Sequence, residues 1–291
     1  MISKILQEKN AIITGGGSGL GYAIAESYVK NGCNVIISGR NSEKLKKSIK
    51  KLDKLTSKNK VFSFKSDVSN ENDCLRLKAF ATQKLNSIDI LINNAGIHGL
   101  YGEVNQKNWN MWKEAISINL FGSVFLSSCI AEQMKKQNYG KIIQLSGGGA
   151  TQPMPFMSAY AASKAGVVRY METLSIELKK YNISVNSVAP GELDTGLLDD
   201  LLKKGKGFID DELYSKKLKV KETGAGSFKK ATDLFLFLAS SESDGITGKL
   251  ISAVWDNYKN WLSDLKSVES SDMYTLRRII GSERNFKKGD V

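Results

Sequence analysis

A short apolar strand that runs into a glycine-rich turn, and then into a helix, most constrains the fold of this chain. The run Ala11-Ile12-Ile13 has the length and composition of a buried strand. It is followed by Thr14-Gly-Gly-Gly-Ser-Gly-Leu-Gly21 and by apolar residues at helical spacing over 22–29. Such glycines allow a tight turn and bring the backbone close to a pyrophosphate at the helix N-terminus, where unpaired N–H groups favour anions. The order of strand, turn and helix therefore favours a nucleotide site over a merely flexible loop.

Short apolar runs alternate with helical patterns along the rest of the chain. We predict strands at 11–14, 34–38, 61–65, 88–93, 141–145, 184–188 and 250–254, with long helices at 109–136 and 159–181. This alternation is typical of a single-domain α/β fold, a doubly wound and mostly parallel sheet with helices on both faces, which is Rossmann-like. Ligands bind such sheets at the carboxyl ends of the strands. Residues that follow predicted strand ends are therefore expected to share one cleft: the glycine turn, Arg40, Asp67, Asn94, Ser146 and Gly191.

Composition restricts the function classes. The chain has 291 residues, of which 41% are hydrophobic, so one sizeable core is expected without a second domain. We found no apolar run that predicts a membrane span and no signal peptide, and Cys33, Cys74 and Cys129 lack metal-ligand spacing. A cytoplasmic protein with no membrane partner and no metal site is expected.

The formal net charge of +12 raises the question of nucleic-acid binding. The densest basic run, at 44–60, carries Leu45, Ile49 and Leu52 at helical spacing, which is typical of a solvated helix with one buried face. No nucleic-acid partner is therefore expected. His98 is the single histidine, and it either lines the cleft or lies in a loop without a role.

Tyr160 and Lys164 are four residues apart in a helix-permissive stretch, which places both side chains on one helical face. A free tyrosine titrates near pH ~10, and an adjacent ammonium favours the phenolate and lowers that pKa. Such a pair can give a proton to a carbonyl oxygen or take one from an alcohol.

In motif order and spacing, the chain resembles the short-chain dehydrogenase/reductase family from roughly residue 5 to 253. Thr14-Gly15, Gly19 and Gly21 match the family's glycine turn. The further matching segments are Asp67-Val68, Asn93-Asn94-Ala95-Gly96, Asn119, Tyr160 with Lys164, Pro190-Gly191 and Thr195.

The resemblance implies hydride transfer between a nicotinamide cofactor and a small-molecule substrate, interconverting a carbonyl and a secondary alcohol. It implies that Tyr160 is the general acid/base, that Lys164 supports it and holds the cofactor ribose, that Asn119 orders a relay water and that Ser146 orients the substrate oxygen. The expected cofactor-binding residues are Gly15, Ser18, Gly19, Leu20, Arg40, Asp67, Val68, Asn94, Ala95, Tyr160, Lys164, Pro190, Gly191, Leu193 and Thr195.

The chain departs from the family at the catalytic serine, which normally precedes the tyrosine by thirteen residues. That position is Gly147, and Ser146 lies one residue earlier. Neighbouring residues of a strand point to opposite faces, so this offset matters. Ser146 could still take the role through an unusual backbone path; the alternatives are Thr151 or backbone N–H groups of the glycine run.

The second strand indicates the cofactor. It ends in Ile36-Ile-Ser-Gly-Arg40, without the carboxylate that would bind the ribose hydroxyls of NAD. Arg40 can grip a 2′-phosphate, although an arginine that stacks on adenine is the other interpretation. NADP is therefore expected, with NAD as the alternative.

Two regions are expected to determine the substrate. Residues 191–228 correspond to the family's variable substrate lid. Residues 255–291 extend beyond the catalytic domain, 1–254, and are expected to bury Trp255 and Trp261 against their own domain or a neighbouring subunit of a homodimer or homotetramer. The alternative is a tail that presents Arg277 or Arg278 to an anionic substrate. The resemblance favours a sugar derivative as substrate, with a 3-oxoacyl-carrier reductase, or a dinucleotide-binding protein with little activity, as the alternatives.

Overall fold

The computed structural model describes residues 4–223 and 228–285, and within these ranges it contains one sheet of seven parallel strands. Parts of the expected lid (224–227) and extension (286–291) lie outside the described residues. The strands are β1 (Asn10–Thr14), β2 (Asn34–Gly39), β3 (Val61–Lys65), β4 (Ile90–Asn93), β5 (Gly140–Leu145), β6 (Ile183–Ala189) and β7 (Leu250–Ser252).

The strand order is β3-β2-β1-β4-β5-β6-β7. The chain therefore builds outward from β1 to β3 and then returns to the other side of β1 with β4. This reversal opens a crevice beyond the carboxyl ends of β1 and β4, where doubly wound sheets bind their ligands. The predicted fold class is confirmed, and all seven predicted strands occur with ends shifted by two residues or fewer.

Helices cover both faces of the sheet. They are α1 (Gly19–Lys30), α2 (Ser42–Leu52), α3 (Glu71–Leu85), α4 (Trp109–Ile116), α5 (Gly122–Gln137), α6 (Ser158–Leu178), α7 (Gly196–Lys204), α8 (Asp211–Thr223), α9 (Lys229–Ala239) and α10 (Leu265–Ser270). Ile12 and Ile13 show why two faces must be covered: both are fully buried, but Ile13 belongs to the core beneath α1 and α9, whereas Ile12 packs under α3, α5 and α6. A strand with apolar residues on both sides requires such a double layer.

The helical stretch Gln106–Gln137 is long and apolar enough to meet a length-and-composition test for a membrane span. It contains α4, a π-helical turn at Ser117–Phe121, and α5. Because 56% of its apolar window is buried inside the protein, we interpret it as a core helix rather than a span.

The described part of the C-terminal extension packs on the outer edge of its own domain. The main-chain N–H of Leu250 donates to Tyr274 O (2.7 Å), and Leu276 N–H donates to the Glu172 carboxylate (2.7 Å). Trp261 is buried and its ring lies 4.2 Å from that of Tyr274. Trp255 projects from the turn after β7 and is 86% exposed on the single chain, so its burial against a neighbouring subunit stays a prediction.

The alternative in which Arg277 or Arg278 binds a substrate stays a prediction. In the structure, Arg277 forms contacts within the extension. Its guanidinium forms two hydrogen bonds of 2.7 Å with Glu283, one from each terminal nitrogen. It also forms an ion pair with Asp272 at 2.7 Å. These contacts occupy the guanidinium fork within the extension itself.

Candidate active site

The glycine turn after β1 is shaped by close backbone contacts. Gly15 has φ = +66°, and a β-carbon on it would lie 2.8 Å from Asn94 Nδ2. A β-carbon on Gly21 would lie 2.4 Å from Gly15 O. Both positions therefore exclude any side chain, and the turn brings α1 close to the end of β4.

Thr14 and Asn94 tie the glycine turn to β4. The backbone N–H groups of Asn94 and Ala95 both donate to Thr14 Oγ1 at 3.0 Å. Asn94 Nδ2 donates to Thr14 O at 2.9 Å. Asn94 therefore uses one amide hydrogen to position the turn.

The N-terminus of α1 offers hydrogen-bond donors to an anion. Ser18, at the N-cap, forms no side-chain capping hydrogen bond, and the first turn carries no acidic residue. Uncapped N–H groups together with the positive end of the helix dipole favour a phosphate at this point. The turn, with its excluded side chains and open N–H groups, fits the pyrophosphate of a dinucleotide.

A cavity of about 220 Å³ adjoins the glycine turn. Its lining includes six of the residues expected to bind the cofactor: Gly15, Ser18, Arg40, Asp67, Val68 and Ala95. It also includes residues that the sequence analysis did not single out, among them Asn41, Lys44, Ser66 and Ile118. Lys44 could have been identified from the sequence as a cavity residue, because it lies in the first turn of the helix that follows β2.

Arg40 lies between two carboxylates at the rim of this cavity. Its Nη1 is 4.0 Å from Asp67 Oδ2 and 3.7 Å from Glu114 Oε1. The Arg40 side chain is about half exposed, so these ion pairs are weak and leave the guanidinium accessible.

The segment after β6 reaches the other side of the glycine turn. Gly191 follows Pro190 and has φ = +84°, a left-handed conformation that glycine adopts without strain. Thr195 approaches Gly19, since a β-carbon built on Gly19 would lie 3.7 Å from the Thr195 side chain. Leu20 is buried in the core on the α1 face, and Leu193 packs against it. The cleft is therefore bounded by β1, β4 and β6.

Tyr160 and Lys164 lie on α6 near the carboxyl end of β5. Lys164 Nζ donates to Leu145 O at 2.8 Å and lies 5.6 Å from the centroid of the Tyr160 ring. Burial lowers the pKa of Lys164 to about 8 and raises the pKa of Tyr160 to about 12. The expected lowering of the tyrosine pKa by the lysine is therefore wrong for this arrangement, because desolvation of the phenol dominates.

Asn119 is fully buried in the π-helical turn, and hydrogen bonds occupy its amide. Its Nδ2 donates to Ile97 O (2.8 Å) and Ser163 Oγ (2.9 Å), while Oδ1 accepts from Ile97 N–H (2.9 Å). A β-carbon on Gly96 would lie 3.1 Å from Asn119 Oδ1. The side chain thus fixes the loop after β4 against α6.

Gly147, not Ser146, faces the tyrosine. A β-carbon built on Gly147 would lie 2.3 Å from Tyr160 Oη. Ser146 Oγ is buried and has no hydrogen-bond partner among the described residues. The hydroxyl of Thr151 donates to Gly148 O at 3.5 Å rather than to Tyr160. The structure therefore does not bring Ser146 to Tyr160, because adjacent residues at a strand end point in opposite directions.

His98 lies beside Tyr160, at the cleft position that was one of the two alternatives from the sequence. Its ring packs edge-on against that of Tyr160, with 4.8 Å between centroids and 81° between planes. Its Nδ1 is 2.8 Å from Tyr101 Oη. Burial lowers the pKa of His98 to about 4, so the imidazole is neutral at physiological pH. Among the described residues, no group of three or more side chains could hold a metal ion.

The segment that contains α7 and α8 packs over the catalytic end of α6. Leu201 and Ile209 form an apolar cluster with Tyr101 and Met157, and Tyr160 packs against it. Two lysines of α8 form ion pairs with the preceding segment: Lys217 with Glu192 at 2.8 Å, and Lys221 with Asp194 at 2.6 Å. The described residues of the expected lid therefore cover the tyrosine.

Comparison with known proteins identifies the family. A family model described as short chain dehydrogenase matches residues 9–205. The chain belongs to the short-chain dehydrogenase family. This family comprises oxidoreductases that bind a nicotinamide dinucleotide, which agrees with the glycine turn and cleft described above.

Individual short-chain dehydrogenases similar to this chain act on different substrates. The chain is 32% identical to the 3-oxoacyl-[acyl-carrier-protein] reductase of Chlamydia trachomatis over 255 residues, 86% of this chain and 98% of the relative. It is 29% identical to the 7α-hydroxysteroid dehydrogenase of Escherichia coli over 252 residues, 85% of this chain and 93% of that enzyme. A solved 7α-hydroxysteroid dehydrogenase with NADH and 7-oxo glycochenodeoxycholic acid has a TM-score of 0.75 at 28% identity, over 86% of this chain and 94% of the other.

Proposed function

We propose that this short-chain dehydrogenase is an NADP-preferring enzyme that interconverts a carbonyl and a secondary alcohol, with Tyr160 as the general acid/base. The observation that carries this proposal is the arrangement of Tyr160 and Lys164 on α6. Lys164 is fixed to the end of β5 through Leu145 O, and the tyrosine lies under the α7–α8 segment. An acid in a covered site at the carboxyl edge of the sheet is suited to proton transfer.

The bound nicotinamide would supply the hydride that reaches the carbonyl carbon. Tyr160 donates its proton to the carbonyl oxygen during reduction, and solvent then restores that proton. Burial raises the pKa of Tyr160 to about 12, which keeps the phenol protonated before the transfer. Lys164 holds a positive charge beside the ring and, by family resemblance, binds the cofactor ribose.

The donors for the substrate oxygen come from the glycine run rather than from a serine. In the described residues, the N–H groups of Gly147, Gly148 and Gly149 donate no hydrogen bond to the protein. A β-carbon on Gly148 would meet no atom within 4 Å, so this part of the run borders open space. Backbone N–H groups that point into a protected site can stabilise a developing oxyanion.

Asn119 contributes by holding the loop after β4, which carries Ala95 and Gly96 beside the cofactor cleft. Because both amide hydrogens are committed to Ile97 O and Ser163 Oγ, the side chain cannot donate to a relay water. We therefore assign it a positioning role.

NADP preference rests on the end of β2. Arg40 and Lys44 both line the cofactor cavity, and β2 ends without the carboxylate that would repel a 2′-phosphate. The nearby Asp67 and Glu114 pair only weakly with Arg40. Two accessible cations favour a phosphate group there.

For the substrate, we propose a small hydroxylated carbonyl compound such as a sugar derivative. A 3-oxoacyl-carrier reductase is the second candidate, favoured by the similarity to the Chlamydia enzyme. A dinucleotide-binding protein with little activity is the third candidate. The glycine at the position of the family's serine would favour it. We further propose a cytoplasmic homodimer or homotetramer. The three buried free thiols, Cys33, Cys74 and Cys129, are consistent with a reducing compartment.

The test is an assay of NADPH and NADH oxidation, followed by nicotinamide absorbance, with a panel of ketoses, simple ketones and a 3-oxoacyl thioester. The proposal predicts turnover with at least one hydroxylated ketone and a higher kcat/KM with NADPH. Exclusive turnover of the thioester would favour the second candidate. Cofactor binding without turnover of any carbonyl would favour the weakly active dinucleotide-binding protein.

A further inference from the structure

The loop after β4 places an imidazole directly against the catalytic tyrosine. The 4.8 Å between the His98 and Tyr160 ring centroids puts both polar side chains at one end of the cleft. The neighbouring side of Tyr160 carries no hydroxyl group, because Gly147 faces Oη. A substrate oriented by Tyr160 therefore meets His98 rather than a serine as the nearest polar side chain that flanks the tyrosine.

The partners of His98 define which of its nitrogens can meet a ligand. Nδ1 is 2.8 Å from Tyr101 Oη, and Nε2 has no hydrogen-bond partner among the described residues. Nε2 is also absent from the buried polar atoms that lack partners, so solvent still reaches it. The imidazole is anchored at Nδ1, and Nε2 remains available to a ligand.

Asp200 favours one tautomer of His98. Burial raises the pKa of Tyr101, and the charge of the Asp200 carboxylate and a hydrogen bond to it raise that pKa further, which favours a phenol proton directed to the carboxylate. Tyr101 Oη then accepts from Nδ1–H, and a neutral imidazole protonated at Nδ1 has an unprotonated Nε2. Nε2 is therefore a hydrogen-bond acceptor.

We infer that His98 is a specificity-determining residue whose Nε2 accepts a hydrogen bond from a substrate hydroxyl next to the reacting carbon. The substrate class is thus the α-hydroxy ketone and its reduced form, the vicinal diol. A ketone without that hydroxyl leaves the acceptor unpaired in a covered site, which costs binding energy. A 3-oxoacyl group carries no such hydroxyl.

Tyr101 is the matching positioning residue. Its side chain is buried, it belongs to the apolar cluster beneath α7 and α8, and it fixes the imidazole through Nδ1. Packing of the α7–α8 segment against Tyr101 thereby supports the orientation of His98.

This inference rests on the proposed function, and its experiment separates the two. The probes are acetoin and 2-butanone, which differ by one hydroxyl group next to the carbonyl, and a ketopentose with 2-pentanone as a second pair. The variants are His98→Asn, whose amide reaches only the Nδ1 position, and His98→Gln, whose amide oxygen reaches the Nε2 position. Tyr101→Phe tests the anchor.

The parent is expected to prefer each hydroxy ketone by about tenfold or more in kcat/KM, the scale of one hydrogen bond in a covered site. His98→Asn should lower kcat/KM for each hydroxy ketone more than for its simple ketone and so remove most of that preference, and His98→Gln should restore much of it. Tyr101→Phe should reduce the preference partially. The role of His98 is overturned if a variant loses kcat/KM by the same factor on both substrates of a pair. It is also overturned if the asparagine and glutamine variants behave equally.

The outcomes distinguish failure of this inference from failure of the proposed function. If the parent reduces ketones with no preference for the hydroxylated member, this inference fails and the proposed function stands. If the parent reduces no carbonyl compound, both fail. Thermal midpoints of all variants identify a folding defect, and the His98→Gln rescue remains informative if His98→Asn is destabilised.

Discussion

The backbone of Gly147 lies against the hydroxyl of Tyr160, so that a β-carbon at position 147 would be only 2.3 Å from Oη. The conformation does not demand glycine, because φ of Gly147 is 179°, which is ordinary extended backbone. The available space does require glycine, because any side chain at position 147 would displace the Tyr160 hydroxyl. The position that carries the catalytic serine in related enzymes is therefore closed to a side chain here.

Substitution of Gly147 tests this steric relationship. Gly147→Ala and Gly147→Ser should both lower kcat, by about tenfold or more, because even a ~1 Å displacement of a reacting group can cost 10²-fold. Cofactor affinity should change little. The alanine variant is the matched control for the hydroxyl: a serine variant that exceeds the parent would show that the site accommodates a family-like serine.

Ser146→Ala should be nearly silent. The Ser146 hydroxyl is buried without a hydrogen-bond partner in the described structure, so its removal leaves no group unsatisfied and unfolding free energy should stay equal or rise slightly. We expect kcat within threefold of the parent in steady-state kinetics. A drop on the order of 10²-fold, the scale of one lost oxyanion donor, would return Ser146 to the catalytic group.

Arg40→Ala and Lys44→Ala should weaken NADPH more than NADH. A charge-assisted contact to a phosphate contributes ~1.5–3 kcal/mol, so about tenfold or more is expected in the NADPH dissociation constant measured by fluorescence titration. Lys136→Ala, at an exposed position at the end of α5 and away from the cavity, is a control for general loss of positive charge. Equal weakening of both cofactors would refute the NADP assignment.

Lys164 should make stability depend on pH. Its folded-state pKa is about 8, depressed from 10.5 by burial, so the unfolded chain binds its proton more tightly. The free energy of unfolding should therefore rise as pH increases from about 8 to 10.5, and below pH 8 the penalty is on the order of 3 kcal/mol.

Lys164→Met removes this penalty along with the functional ammonium. The variant should unfold at a higher temperature than the parent at pH 7, and the difference should shrink towards pH 10. Thermal unfolding across this pH range is the measurement. A variant that is destabilised equally at both pH values would show that the hydrogen bond to Leu145 O outweighs desolvation of the charge.

The fold was accessible from sequence because each strand is a short apolar run and each connection has helical periodicity. Strand ends were less certain: 88–93 proved to begin at Ile90, since Ile88 is buried but lies in the approach to the strand. The long helix at 109–136 is interrupted by a π-helical turn that places Asn119, and hydrophobic periodicity does not reveal such an interruption.

The site was only partly accessible. Spacing identified Tyr160 and Lys164, but the tyrosine pKa depends on burial under α7 and α8, which no local pattern encodes. The sequence could have favoured a cleft position for His98, because it closely follows the carboxyl end of β4, where this type of sheet binds ligands. Helical spacing from Trp255 was assumed, whereas the chain turns after β7 and leaves Trp255 exposed on its own domain.

The role of Tyr160 is tested most directly by Tyr160→Phe, which removes the transferable proton and keeps the ring that packs against His98. With a ketone that the parent reduces, single-turnover NADPH oxidation should slow by ~10²–10⁴-fold, the typical contribution of general acid–base catalysis. NADPH affinity should be unchanged within about threefold. Oxidation within a few-fold of the parent rate would contradict the assignment of Tyr160 as the general acid.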